Sequence, residues 1–233
     1  RGILEVEDPI PAAPEPGLRS RPGERGALNL ESVSFAYGDE KVLEDITLAV
    51  EPGRSISLVG PSGAGKTTIG TLLYHIMRAE KPNVFRLDGD IARWAYNDVT
   101  DFSLEARRAC AFRHARVSKM IADQGIDVIC CTVSLFHEVQ AWNRENFARY
   151  VEIFLDVPMD ILERRNQKGM YKKAKAGEMK NVMGVDQKME FPLRPDIHFV
   201  NDGRLSPKEA VQWLYQEILW VEGKNSQPME VGR

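Results

Sequence analysis

The amino-acid sequence predicts an α/β fold in three layers, a parallel β-sheet with helices on both faces, preceded by an N-terminal β-hairpin. Three observations carry this expectation. Apolar runs of strand composition alternate with helix-forming segments over residues 54–221, and such alternation builds parallel strands joined by crossover helices. A glycine-rich segment stands between the first of these runs and the first helix, where α/β proteins bind ligands at the carboxyl ends of strands. The chain has 233 residues, 43% hydrophobic and 28% charged, which suits one core of ~100–200 residues plus an appendage.

The elements follow in order. Residues 8–25 (DPIPAAPEPGLRSRPGER) are crowded with proline, glycine and charge, so residues 1–27 are expected as a linker outside the core. From Leu28 two alternating apolar runs flank Gly38, Asp39 and Glu40, which predicts a hairpin over 28–53. A core over 54–222 then begins with a strand at 54–59 and a helix at 66–78. FRLDGD, 85–90, reads as a short buried strand ending in two carboxylates. Ser103 is placed to cap a long helix through Asp123, with Gly125 as its stop. Next come a strand in IDVICCTVS, a helix at 138–147, a strand in YVEIFLDVP and a short helix through Arg165. A charged segment, 166–186, precedes a last strand at 196–200. The closing helix, 206–221, has Pro207 in its first turn, and 223–233 form a tail.

Composition removes several function classes. A net charge of −3 supplies no basic field for a nucleic-acid backbone. The three cysteines, Cys110, Cys130 and Cys131, are odd in number and lack metal-ligand spacing, which fits reduced thiols. No apolar run approaches the ~18 residues that span a bilayer, and no signal-peptide pattern opens the chain. A cytoplasmic protein without membrane insertion is expected.

Gly60, Pro61, Ser62, Gly63, Ala64, Gly65, Lys66 and Thr67 satisfy G-x-x-x-x-G-K-[ST] in full. The motif stands between an apolar strand and a helix, the context it requires. Its glycines let backbone N–H groups turn around a phosphate, and the following helix points its positive end there. Lys66 is expected to bridge the β- and γ-phosphates of ATP, Thr67 to hold Mg²⁺, and Thr68 to complete the ATP-binding run. These features define the P-loop NTPase fold.

Two resemblances meet at this loop. Residues 1–68, with SVSFAYG, VLEDITLAVEPG and SLVGPSGAGKTT, resemble the nucleotide-binding domain of an ABC exporter. That resemblance implies that Tyr37 stacks on adenine; cross-strand pairing of Tyr37 is the other reading. Past Thr68 no LSGGQ signature and no strand-ending Asp-Glu pair follow. An ABC-type ATP-binding or energy-coupling module is therefore the alternative from another class. Residues from about 57 to 220, with GPSGAGKTT, LDGDIAR, DFSLEAR, VSLF, KGMYKKAKAGEMKNVMGVD and PDIHFVND, resemble adenylylsulfate kinase, which phosphorylates the 3′-hydroxyl of adenylylsulfate.

The second resemblance implies an ATP- and Mg²⁺-dependent phosphotransferase acting on a small nucleotide-like acceptor, and a homodimer. It makes Asp88 the catalytic base, with Asp90 beside it reaching Mg²⁺ through water or capping the next helix. Arg93 and Arg107 become acceptor anchors, whereas Arg108 and Arg113 read as a solvated face. Ser134 takes the position of a serine that is phosphorylated in that family. Lys168 and Tyr171, with Lys172 and Lys173, fall in a basic stretch able to close over phosphates. Phe102 supplies one aromatic face for the acceptor base. His114 and His137 receive no role.

The acceptor-side motifs depart from ordinary adenylylsulfate kinases. Ile91 replaces the asparagine of DGDN; residues 106–110 (ARRAC) keep only the arginine of D-R-x-E-N; Leu135, Phe136 and His137 follow Ser134 in place of proline, tyrosine and arginine; Val182 replaces the second aromatic face. Losing that face removes ~1–3 kcal/mol of stacking. SLFHEVQAWNREN and NVMGVD look closer to the branch that phosphorylates cytidine diphosphoramidate for capsule modification.

Overall fold

A computed structural model describes residues 28–38, 40–50, 52–97, 102–165 and 169–223. The linker expected over 1–27, the tail from 224 onward, Asp39 at the hairpin turn and Lys168 lie outside the described residues.

Strand β1 (Leu28–Tyr37) pairs antiparallel with β2 (Glu40–Val50), Leu28 opposite Val50 and Tyr37 opposite Glu40. The hairpin forms, but Glu40, expected between the two runs, is the first residue of β2. Its sheet is separate from the main one, and Phe35, Val42 and Ile46 on it are exposed.

The main sheet has five strands in the order β4-β5-β3-β6-β7. They are β3 (Ser55–Val59), β4 (Val84–Asp88), β5 (Asp127–Thr132), β6 (Tyr150–Asp156) and β7 (Ile197–Val200). Every neighbouring pair is parallel. Connections run through α1 (Lys66–Glu80), α2 (Gly89–Ala95), α3 (Leu104–Ala122), α4 (His137–Asn146), α5 (Met159–Arg165) and α6 (Met170–Lys175), and α7 (Pro207–Val221) closes the fold.

Because strand side chains alternate between faces, the buried runs feed two cores at once. Ile56, Leu58, Ile129, Cys131, Val151, Ile153 and Leu155 pack with Leu73 and Met77 of α1 and Leu214 and Ile218 of α7. On the other face Val59 and Phe154 meet Ala111 and Ala115 of α3 and Val139 of α4, while Val128 and Cys130 meet Ala122 and Phe147. Strands buried on both sides are what a parallel sheet requires. All three cysteines are free and buried.

The expected caps form. Ser103 Oγ accepts from Ala106 N, and Ser206 makes a full capping box with Glu209 ahead of Pro207. Two expectations change. The strand read over 85–90 ends at Asp88, and α2 starts at Gly89, so Asp90 stands in the first helical turn and not at a strand end. Asp88, not Asp90, is the cap: its Oδ1 accepts from Asp90 N at 3.1 Å. The charged segment 166–186, read as a basic stretch able to close over phosphates, folds in its described part against the core. It contains α6, the buried Tyr171 and Val182, and a bridge between Met183 and Gln187.

At the amino ends of the strands, away from the glycine loop, Asp127 is fully buried. Arg54 Nε and Lys81 Nζ reach its Oδ2 at 2.6 and 2.7 Å. Arg54 Nη1 continues to Glu222 Oε2 at 2.5 Å, and Arg149 Nη2 meets Glu222 Oε1 at 3.0 Å. Charge neutralises charge throughout, which makes this burial tolerable. Among the described residues no helix is long and apolar enough to cross a membrane.

Candidate active site

The loop between β3 and α1 opens on the carboxyl edge of the sheet. Gly63 and Gly65 have φ of 84° and 90°, left-handed values that a side chain would strain. Ser62, Gly63, Gly65, Lys66, Thr67 and Thr68 line a cavity of about 970 Å³. Gly60, Pro61 and Ala64 lie outside that lining, buried beneath the loop. They back the loop rather than face the cavity. Lys66 is buried, and its Nζ donates to the carbonyls of Gly60 and Pro61 at 2.9 and 2.7 Å. Burial pushes the Lys66 ammonium down to about 8, against the opposing pull of Cys131, Asp90 and Asp88. Helix α1 aims its amino terminus into the same cavity, where the dipole favours anions.

Asp88 meets the loop directly. Its Oδ2 accepts from Thr67 Oγ1 at 2.9 Å and from Arg86 Nη1 at 3.0 Å. Arg86 stands two residues earlier on β4, on the same strand face by the period-2 rule. Asp88 is buried while Asp90, in the first turn of α2, is exposed and lines the cavity.

Across the cavity the arginine and aromatic positions converge. The guanidinium carbons of Arg93 and Arg107 lie 4.7 and 5.2 Å from the ring centre of Phe102, within cation–π range. Arg107 also donates to the carbonyls of Phe102 and Asn181 at 3.1 and 2.9 Å. Burial and the neighbouring Arg93 charge pull the Arg107 guanidinium below its ordinary value; Arg remains charged at any physiological pH. Two cations held against one ring make a local positive field on a chain of net negative charge, and that field suits an anionic ligand.

Ser134 is buried at the inner end of the cavity, its Oγ 2.6 Å from Thr132 Oγ1. Val182 is buried and contributes a small aliphatic wall where the resemblance implied a missing aromatic face. Tyr171 differs from expectation: it lies outside the cavity lining, packed in the core, with its hydroxyl on the Ser62 carbonyl at 2.8 Å. Its ring belongs to the hydrophobic side of α6, so only the polar tip reaches the site. Lys172 and Lys173 are exposed. Tyr37 has its backbone in β1, but its side chain lies outside the described residues. Arg113 is exposed as expected, whereas Arg108 is half-buried over the Phe136 ring.

Several residues enter the site that motif reading left aside. His114 lines the cavity wall, with Nε2 3.6 Å from Cys110 Sγ. Arg165 donates to the carbonyl of Gly63 at 3.3 Å and to that of Asn201 at 3.1 Å, and Asn201 Nδ2 donates to the carbonyl of Ala64 at 2.9 Å. Arg165 had a signal as the basic end of a predicted helix, and Asn201 stood inside the quoted run PDIHFVND. His137 sits apart from this cavity; its Nε2 is 2.9 Å from the Phe191 carbonyl.

Comparison with known proteins places this geometry. The family model for adenylylsulphate kinase matches residues 52–200. Cytidine diphosphoramidate kinase of Campylobacter jejuni is 35% identical over 163 residues, 70% of this chain and 95% of that protein. Adenylyl-sulfate kinase of Burkholderia ambifaria is 34% identical over 163 residues, 69% and 90% of the two chains. Among solved structures, the APS kinase of Mycobacterium tuberculosis in complex with AMPPNP and APS is similar with a TM-score of 0.65 and 30% identity, covering 72% of this chain and 98% of that one. The family match starts after the hairpin, and the likeness of residues 1–68 to an exporter ATPase rests on sequence motifs alone.

Proposed function

The chain belongs to the adenylylsulphate kinase family and is an ATP-dependent kinase of that kind; from that premise we propose that it passes the γ-phosphate to a hydroxyl of a small anionic nucleotide, adenylylsulfate being the first acceptor to try. One observation carries the reading: a single cavity has the glycine loop with Lys66 and Thr67 on one side, Arg93, Phe102 and Arg107 on the other, and Asp88 and Asp90 between them.

In this reading the loop amides and Lys66 hold the donor phosphates, and Phe102 with the two arginines orients the acceptor. Phosphoryl transfer runs through a loose transition state, so alignment and charge neutralisation supply most of the acceleration. Asp88 orients the attacking hydroxyl and receives its proton late in the transfer. Ser134, fixed by Thr132, serves as a polar contact at the acceptor end. The Thr67 hydroxyl beside the Asp88 carboxylate fits Mg²⁺, which takes one or two protein oxygens and completes its shell with phosphates and water. When bound, Mg²⁺ would neutralise charge developing between the β- and γ-phosphates.

Cytidine diphosphoramidate is the second acceptor, favoured by the aliphatic Val182 and by the recast run at 106–110. An ADP-release assay with each acceptor in turn tests the proposal. Acceptor-stimulated turnover is expected with one of the two, and none with either would overturn it. Retained ATP binding without turnover would favour the ATP-binding module.

A further inference from the structure

The glycine loop is held from behind over Gly60 to Ala64. Lys66 takes the carbonyls of Gly60 and Pro61, Tyr171 that of Ser62, Arg165 that of Gly63 and Asn201 that of Ala64. Five successive carbonyls thus accept side-chain donors, and three of those donors come from the far end of the sequence. A trans peptide points its N–H opposite to its C=O. Whatever holds the Ser62 carbonyl therefore sets the direction of the Gly63 N–H, and Gly63 lines the cavity.

We infer that Tyr171 is a positioning residue for the donor phosphates: its hydroxyl anchors the Ser62 carbonyl and so aims the Gly63 amide into the cavity. This rests on the reading of the loop as a phosphate site, and it places Tyr171 behind the loop rather than in a stretch that closes over the phosphates. The ring is almost fully buried at 1% exposure, which fixes the hydroxyl in one place. Burial also pushes the phenol up to about 12, so it remains an O–H donor across the working range of pH. Gly63 has no Cβ and a left-handed φ of 84°, and the local bond across that peptide is the turn from Ala64 N to the Pro61 carbonyl at 3.2 Å, which leaves the Ser62 carbonyl itself to the tyrosine. The bond spans 109 positions in sequence and ties α6 to the loop.

Tyr171→Phe keeps the packed ring and deletes the donor. Two measurements on the full chain test the inference, ADP affinity by calorimetry and amide hydrogen exchange over residues 60–66. ADP binding is expected to weaken about tenfold, the scale of one hydrogen bond that orients a charged ligand. Exchange should rise over 60–66 while β3 and β6 keep their protection. Unchanged affinity together with unchanged exchange would overturn the inference. So would a general rise of exchange across the sheet, which would make Tyr171 a packing residue only. Failure of the unsubstituted protein to bind ADP would instead sink the proposed function, while the exchange measurement would still decide whether Tyr171 restrains the loop. A kinetic split completes the test: the KM for ATP rises and the KM for the acceptor stays put.

Discussion

Thr67 Oγ1 donates to Asp88 Oδ2 at 2.9 Å, joining the first turn of α1 to the carboxyl end of β4. The phosphate loop and the carboxylate assigned to the acceptor hydroxyl are thereby one rigid unit. Asp88→Asn should preserve the cap on α2, because asparagine caps as well as aspartate, while removing the proton acceptor. Turnover is expected to fall by about 10²-fold or more, with ADP affinity little changed. Steady-state rates and an ADP titration check this.

Nucleotide affinity should depend on pH through Lys66. Its folded value, about 8, lies below the ordinary ~10.4, so above pH 8 the protein must take up a proton to present an ammonium to phosphate. Each pH unit above that point should weaken ADP binding by up to about tenfold. Lys66→Met should bind weakly at every pH and show no such slope in calorimetry between pH 7.5 and 10.

Phe102 lies against both arginines proposed to anchor the acceptor, Arg93 and Arg107. Phe102→Ala should raise the acceptor KM by about five- to 150-fold, in line with ~1–3 kcal/mol for a stacked base, and leave the KM for ATP within about twofold. Arg107→Lys should also raise the acceptor KM, since an ammonium cannot reproduce the planar fork that stacks on the ring and reaches two carbonyls. Initial-rate kinetics with each substrate varied separately read both effects.

Stability should respond most to the buried charges at the other end of the sheet. Asp127→Ala leaves Arg54 buried without its carboxylate, a change that costs ~3–5 kcal/mol and is measurable by urea unfolding. Burial by itself would raise the Asp127 carboxyl, but Lys81 and Arg54 together outweigh it and hold the group below the ordinary range. A depressed carboxylate stabilises the fold above its unfolded value of ~3.9 and loses that contribution as pH falls through the folded value. Acid unfolding below about pH 4 should therefore be blunted in the variant relative to the parent.

What could be read from the sequence was what lies close together along it. The glycine loop occupies eight consecutive residues, and Ser103 and Ser206 announce their helices within three positions. Asp90 was misplaced because Gly89 looks like a strand end or a turn. Only the bond from Asp90 N to Asp88 Oδ1 shows that the helix has already begun. Helix α6 was hidden because one buried tyrosine among lysines gives no apolar period. Three of the donors behind the loop carbonyls, Arg165, Tyr171 and Asn201, come from 102 to 137 positions away, and no local pattern records such contacts. The acceptor pocket was legible as a set of departures from a motif, but the stacking of two cations on Phe102 emerged only in three dimensions.

The burial of all three thiols makes the protein a blank background for site-specific chemistry. Burial raises Cys130 and pushes Cys131 up to about 12, so neither offers thiolate at neutral pH, and Cys110 is only 2% exposed. A single cysteine introduced at the exposed Lys180, on the rim of the cavity, would take a maleimide dye ahead of Cys110 and Cys131, which line the cavity but are 2% and 3% exposed. A fluorophore there would report arrival of nucleotide and acceptor in real time without stripping native residues first.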